Sequence, residues 1–107
     1  MINKEKGISF MIIITRKWTR PSTDVQFWKI SPEGGQLFNQ KYKDKCLYRN
    51  KTLENNDLTM VIQTIWDSAA SHSEYANDPD FALHFAQRNQ YNADNEIIAG
   101  ERVVENA

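Results

Sequence analysis

The chain has a single cysteine, Cys46, among its 107 residues, so no intramolecular disulfide can hold the fold. That cysteine usage suits a reducing compartment, and a cytoplasmic location is expected. Charge of one sign is also missing. With 13 basic and 14 acidic side chains the formal net charge is −1, which gives no electrostatic footprint for nucleic acid or an anionic membrane surface. Long apolar runs are absent. The most hydrophobic stretch, residues 8–14, is far too short to cross a bilayer. It lacks a small-residue cleavage site and runs into Arg16-Lys17, which is not how a signal peptide ends. No glycine-rich phosphate loop and no Ser-His-Asp spacing is visible.

What is present is the composition of one soluble globular domain, 40% hydrophobic and 25% charged. Residues 1–7 read as a polar, frayed leader, and residues 8–107 as the domain. A first strand runs from Ile8 to about Trp18, with Ile8, Phe10, Ile12 and Ile14 on one face and Met11 and Ile13 on the other. Residues 20–24 break it, and residues 25–28 fit either a short strand or one helical turn. Ser31-Pro32-Glu33 starts a helix, with Ser as N-cap and Pro at the first position, and Leu37, Phe38 and Tyr42 form its apolar stripe. Gly34-Gly35 is either a weak first turn or a place where another group approaches closely.

An edge strand over residues 46–53 follows, with Leu47 and Leu53 on one face and Cys46 and Tyr48 on the other. Asn55-Asn56-Asp57 turns the chain into a second central strand. There Leu58, Met60, Ile62 and Trp66 share one face, and Val61 and Ile65 the other. Ser68 caps a short helix to about Asn77, and Asp78-Pro79 restarts it with Phe81, Ala82, Phe85 and Ala86 as the buried stripe. A last strand, residues 96–104, is interrupted by Gly100. The order β-α-β-β-α-β predicts an α+β, ferredoxin-like fold: a four-stranded antiparallel sheet with both helices on one face. Strands one and three are central and apolar on both faces, so the uncovered face calls for a twin. Burying several hundred square ångströms per subunit at ~25 cal/mol per Å² is worth roughly 10 kcal/mol before association costs, and a homodimer is expected.

The segment from Ile62 to Tyr75, continuing through Asp78-Pro79-Asp80-Phe81, resembles the third strand and second helix of the dimeric α-β barrel superfamily. Within it, the antibiotic-biosynthesis monooxygenase-like family is the nearest group, with Met11 to Arg16 in the place of its first strand. The motif covers about twenty residues and the topology most of residues 8–104. That family includes cofactor-free quinol and polyketide monooxygenases, heme-degrading enzymes and members without known activity. Its heme-degrading branch uses an Asn, a Trp and a His. At the matching positions this chain has Arg16, Tyr75 and Phe85, with His84 about 100° around the helix, so the resemblance implies no heme and no other cofactor. The family's Pro-Gly before the second strand is replaced by Asp44-Lys45-Cys46.

His72 and His84 are the only histidines, and an imidazole's ordinary titration range suits proton abstraction near neutral pH. They are the candidate bases. His72-Ser73-Glu74 matches half of a zinc deaminase signature, but no Pro-Cys-x-x-Cys follows, and no metal site is expected. Trp18, Trp28, Trp66, Tyr75 and Tyr91 either fill a small core or surround a pocket between sheet and helices, with Arg16 as polar anchor. Three functions follow. The first is binding of a small aromatic or hydrophobic molecule. The second is cofactor-independent oxygenation of a phenolic or quinol-type substrate, with Tyr75 or Trp66 lining the site. The third is a non-catalytic interaction dimer with a filled barrel.

Overall fold

Alternation of Ile12, Ile14 and Trp18, all buried, with more exposed neighbours builds strand β1 (Ile12–Thr19) at the centre of the sheet in the computed structural model, which describes residues 10–107. The leader and the strand start at Ile8 lie outside the described residues. Phe10 precedes the strand and is 71% exposed, so it does not join the face of Ile12. Helix α1 (Pro32–Tyr42) follows, then β2 (Cys46–Glu54), β3 (Thr59–Trp66), α2 (Ala69–Ala76), a 3₁₀ turn at Pro79–Phe81, α3 (Ala82–Asp94), β4 (Ile98–Ala99) and β5 (Val103–Asn106). All pairings are antiparallel, in the order β2-β3-β1, with β4 and β5 both on the far edge of β1. The sheet has five strands rather than four because the last strand breaks around Gly100, whose N–H donates to the Lys17 carbonyl at 2.8 Å.

The helix starts follow from their caps. Ser31 Oγ accepts from Gly34 N–H, Ser68 Oγ from Ser71 N–H, and the Asp78 carboxylate from Asp80 N–H. The two glycines behave differently. A Cβ on Gly34 would sit 2.6 Å from Ile30 Cγ1 and 3.0 Å from His84 Cε1, whereas one on Gly35 would meet nothing. The close approach is therefore real at Gly34 and made by side chains. Residues 25–28 form neither strand nor helix but part of a long loop, tied down by Arg20, which donates to the Val25 and Asp57 carbonyls. Ala82 and Ala86 are exposed; the inward stripe of α3 is His84, Phe85, Arg88 and Asn92, because Phe81 enters from the 3₁₀ turn.

A bulge between Cys46 and Tyr48 changes the faces of β2. Cys46 pairs with Trp66, Arg49 with Thr64, Lys51 with Ile62 and Leu53 with Met60, so Cys46 and Leu53 share the helix-covered face and Leu47 is the looped-out residue. The tight turn beyond uses left-handed conformations at Asn55, Asn56 and Asp57, which these residue types tolerate best after glycine.

Under the helices, one end of the sheet carries the core: Ile12, Ile14, Phe38, Tyr42, Cys46, Trp66 and Phe81. A polar hub closes it. Tyr42 Oη donates to Asp78 Oδ2 at 2.6 Å, Lys41 Nζ lies 2.6 Å from the same oxygen, and Lys41 also reaches Asp80 at 2.9 Å. The Lys41 and Tyr42 donors hold the Asp78 carboxyl down to about 2 from 3.8, while burial and the Asp78 carboxylate push the Tyr42 phenol up to about 12 from 10.0. A lowered carboxyl stabilises the fold above its unfolded value and loses that contribution as pH falls from 3.8 towards 2; a raised phenol loses its contribution as pH rises from 10.0 towards 12. Thermal melts across pH are expected to show a plateau bounded by these limbs, and Asp78→Asn should flatten the acid one.

Candidate functional site

Beyond the core, helices and sheet diverge around a half-open cavity of about 440 Å³. Its floor is the sheet. Across β1, β3 and β2 the register sets three successive rows: Ile14, Thr64 and Arg49; Arg16, Ile62 and Lys51; Trp18, Met60 and Leu53. All but Leu53 line the cavity. Phe38 of α1, His72 and Tyr75 of α2, and His84, Phe85 and Arg88 of α3 form the roof, and the 20–31 loop supplies a rim of Phe27, Trp28 and Ile30.

Of the residues singled out in the sequence, Arg16, Trp28, Trp66, Tyr75, His72 and His84 all border this one cavity, as does Trp18. Tyr91 does not. Its hydroxyl donates to the Gln26 carbonyl at 2.5 Å, so it anchors the rim loop from outside. Trp66 is mainly a core residue, 1% exposed, stacked on Tyr75 at 5.4 Å and edge-on to Phe38 at 6.1 Å, with Nε1–H donating to Thr64 Oγ1. His84 and Phe85 both face the cavity, so the 100° between them does not turn the imidazole away.

Arg49, Lys51 and Arg88 were missed. Arg88 lies one turn beyond His84 and Phe85, on the helical period that marks that face. Lys51 reads in sequence as an edge-strand charge against solvent, and only the hairpin register shows that it and Arg49, though exposed, lie on the cavity side of the sheet.

The electrostatics are one-sided. Arg16 and Arg88 lie over the Trp18 ring at 4.8 and 5.3 Å, and Arg49 over the Phe38 ring at 4.6 Å. Burial, then Arg88 and Arg102, pull the Arg16 guanidinium below its ordinary value, and burial, then Arg49 and Lys29, do the same to the Lys51 amine. Burial, with Arg102 and Arg16, also lowers the His72 imidazole, which favours its neutral form. Burial raises both the Tyr75 phenol and the Cys46 thiol, so both keep their protons. Among the described residues, the only buried side-chain nitrogens or oxygens without a hydrogen-bond partner are Arg16 Nε and His84 Nδ1, both from cavity-lining residues. No cluster of three or more His, Cys, Asp or Glu suited to a metal occurs among the described residues, and no helix among them is long and apolar enough to cross a membrane.

No protein-family profile matches the sequence, and no curated protein matches it. Solved structures do. SnoaB, a cofactor-independent oxygenase from Streptomyces nogalater, is similar with a TM-score of 0.67 at 12% identity, over 91% of this chain and 92% of that one. A protein assigned as an antibiotic biosynthesis monooxygenase from Deinococcus radiodurans gives 0.56 at 13% identity, over 89% and 91%. One similarly assigned from Chloroflexus aurantiacus gives 0.53 at 14%, over 91% and 92%. At these identities the likeness is one of fold, and it agrees with the resemblance carried by residues 62–81: the chain has the α+β, ferredoxin-like fold of the antibiotic-biosynthesis monooxygenase-like proteins.

Proposed function

We propose that this protein binds a small aromatic molecule in the cavity between sheet and helices and works as a homodimer. The observation that carries the binding reading is the cavity itself. In a domain of this size, about 440 Å³ is left open among Trp18, Phe27, Trp28, Phe38 and Phe85 rather than filled by them, within the volume range of small-molecule sites. Aromatic walls favour a flat apolar body, and the few polar groups among them set its orientation. A filled-barrel interaction dimer is correspondingly disfavoured. Dimerisation is supported by the opposite face of the sheet, where Ile13, Ile65 and Tyr48 form one row and Val103 and Ile98 are largely exposed. Native mass spectrometry of the freshly purified protein tests both halves. A dimer with an added small mass supports them, a bare dimer removes the support for a retained ligand, and a monomer overturns the dimer.

Catalysis is the second reading, favoured by His84 Nδ1, which is buried without a partner in a residue that lines the cavity. Proton removal from a phenolic or quinol-type substrate would leave an electron-rich anion able to reduce O₂ directly, one oxygen entering the product and the other leaving as water. SnoaB, which shares the fold, is a cofactor-independent oxygenase. With His84 as the base, His84→Ala is expected to slow turnover of such a substrate by about 10²–10⁴ while leaving the fold intact. Oxygen uptake measured with a panel of quinols checks it, and an unchanged rate on a turned-over quinol removes His84 from that role.

A further inference from the structure

Among the described residues the cavity is lined by five cations, Arg16, Lys29, Arg49, Lys51 and Arg88, and by no aspartate or glutamate. In a chain with 14 acidic and 13 basic side chains this is segregation, not composition. The ion pairs formed among the described residues lie elsewhere, on Lys17, Lys41 and Lys45, and none includes a cavity cation. Arg16 and Arg88 are partly buried, while Lys29, Arg49 and Lys51 stand at the exposed margin; partly buried cations without counter-charges cost stability. Arg16 adds to that cost an Nε–H donor that is buried and unmet.

The cations also divide into two groups. Arg16 of β1 stands near Arg88, and both lie over Trp18. Lys51 of β2 stands near Arg49 and Lys29. Between the groups runs β3, presenting Ile62 opposite both Arg16 and Lys51. Two strand spacings separate the Cα atoms of Arg16 and Lys51 by roughly 9.5 Å, with an apolar strip in the middle.

We propose that the cavity takes a flat aromatic molecule bearing a carboxylate at each of two opposite ends, one met by Arg16 and Arg88, the other by Arg49 and Lys51, with its rings over Ile62. This rests on the reading of the cavity as an aromatic-binding site and specifies its ligand class. The guanidinium fork suits the carboxylate, because two parallel N–H donors match its two oxygens. The ligand supplies the negative charge that the lining lacks.

Isothermal titration of the full-length protein with three related probes tests this: a naphthalene dicarboxylate with its acids at opposite ends, the naphthalene mono-acid, and the dimethyl ester of the diacid. The diacid is expected to bind about tenfold or more tighter than the mono-acid, the ester more weakly than either, and the diacid affinity to fall as salt is raised. Arg16→Met and Lys51→Met should each cost the diacid about tenfold to a hundredfold and leave the ester unaffected. Ligand-free Arg16→Met should also melt above the parent, because an unpaired cation has gone; that readout shows the variant is folded. Equal affinity for ester and diacid, or for mono-acid and diacid, overturns the two-carboxylate proposal while the aromatic site stands. Failure of all three probes to bind overturns the site and the proposal together.

Discussion

Replacing Trp66 by alanine is expected to cost about 3–5 kcal/mol and to lower the melting temperature by roughly 15–30 °C. The side chain is 1% exposed. It stacks on Tyr75, meets Phe38 and Tyr42 edge-on, and packs against His72 at 5.3 Å. Removing it leaves a void between sheet and helices that these rings cannot close without leaving their own partners, so the cost exceeds the lost transfer energy. Differential scanning calorimetry measures it. A drop of only a few degrees would mean that Trp66 serves as a cavity wall alone and does not close the core.

The second large effect concerns the uncovered face of the sheet. Ile65 lies near the end of β3, paired across the ladder with Ile13 on one side and Tyr48 on the other. In a homodimer built on this face, Ile65→Glu places a carboxylate in a dry interface at about 3–5 kcal/mol, and two-fold symmetry repeats the penalty in the other subunit. The variant is expected to sediment as a folded monomer at concentrations where the parent is dimeric. A dimeric Ile65→Glu protein would mean that the subunits associate through another surface, and a monomeric parent would remove the homodimer.

The sequence carried the architecture because its signals were local and strong. The two central strands are apolar on both faces, Ser31-Pro32 and Asp78-Pro79 mark helix starts by their capping chemistry, and Asn55-Asn56-Asp57 marks the hairpin. What stayed hidden depended on register and on long-range contacts. The bulge at Leu47 turned Cys46 to the face opposite the one simple alternation assigns it. Tyr91 reads as one more pocket aromatic, yet its hydroxyl reaches a carbonyl 65 residues away and holds the rim. Arg49 and Lys51 alternate along an edge strand as solvated charges do, and both do stay exposed; nothing local shows that the register turns them to the cavity side of the sheet. Arg16 and the two histidines were legible as chemistry, but only the fold brings them to one cavity.

All three tryptophans of the chain, Trp18, Trp28 and Trp66, border that cavity. Their environments differ: Trp66 and Trp18 are 1% and 8% exposed, while Trp28 is half-buried in the rim loop. The intrinsic fluorescence of the protein is thus a native optical probe of one location. A bound aromatic that absorbs in the tryptophan emission band will quench it by energy transfer, and an optically silent one will shift the Trp28 emission to the blue as water leaves the rim. Occupancy can be followed in unlabelled protein, with no substitution needed to create the signal.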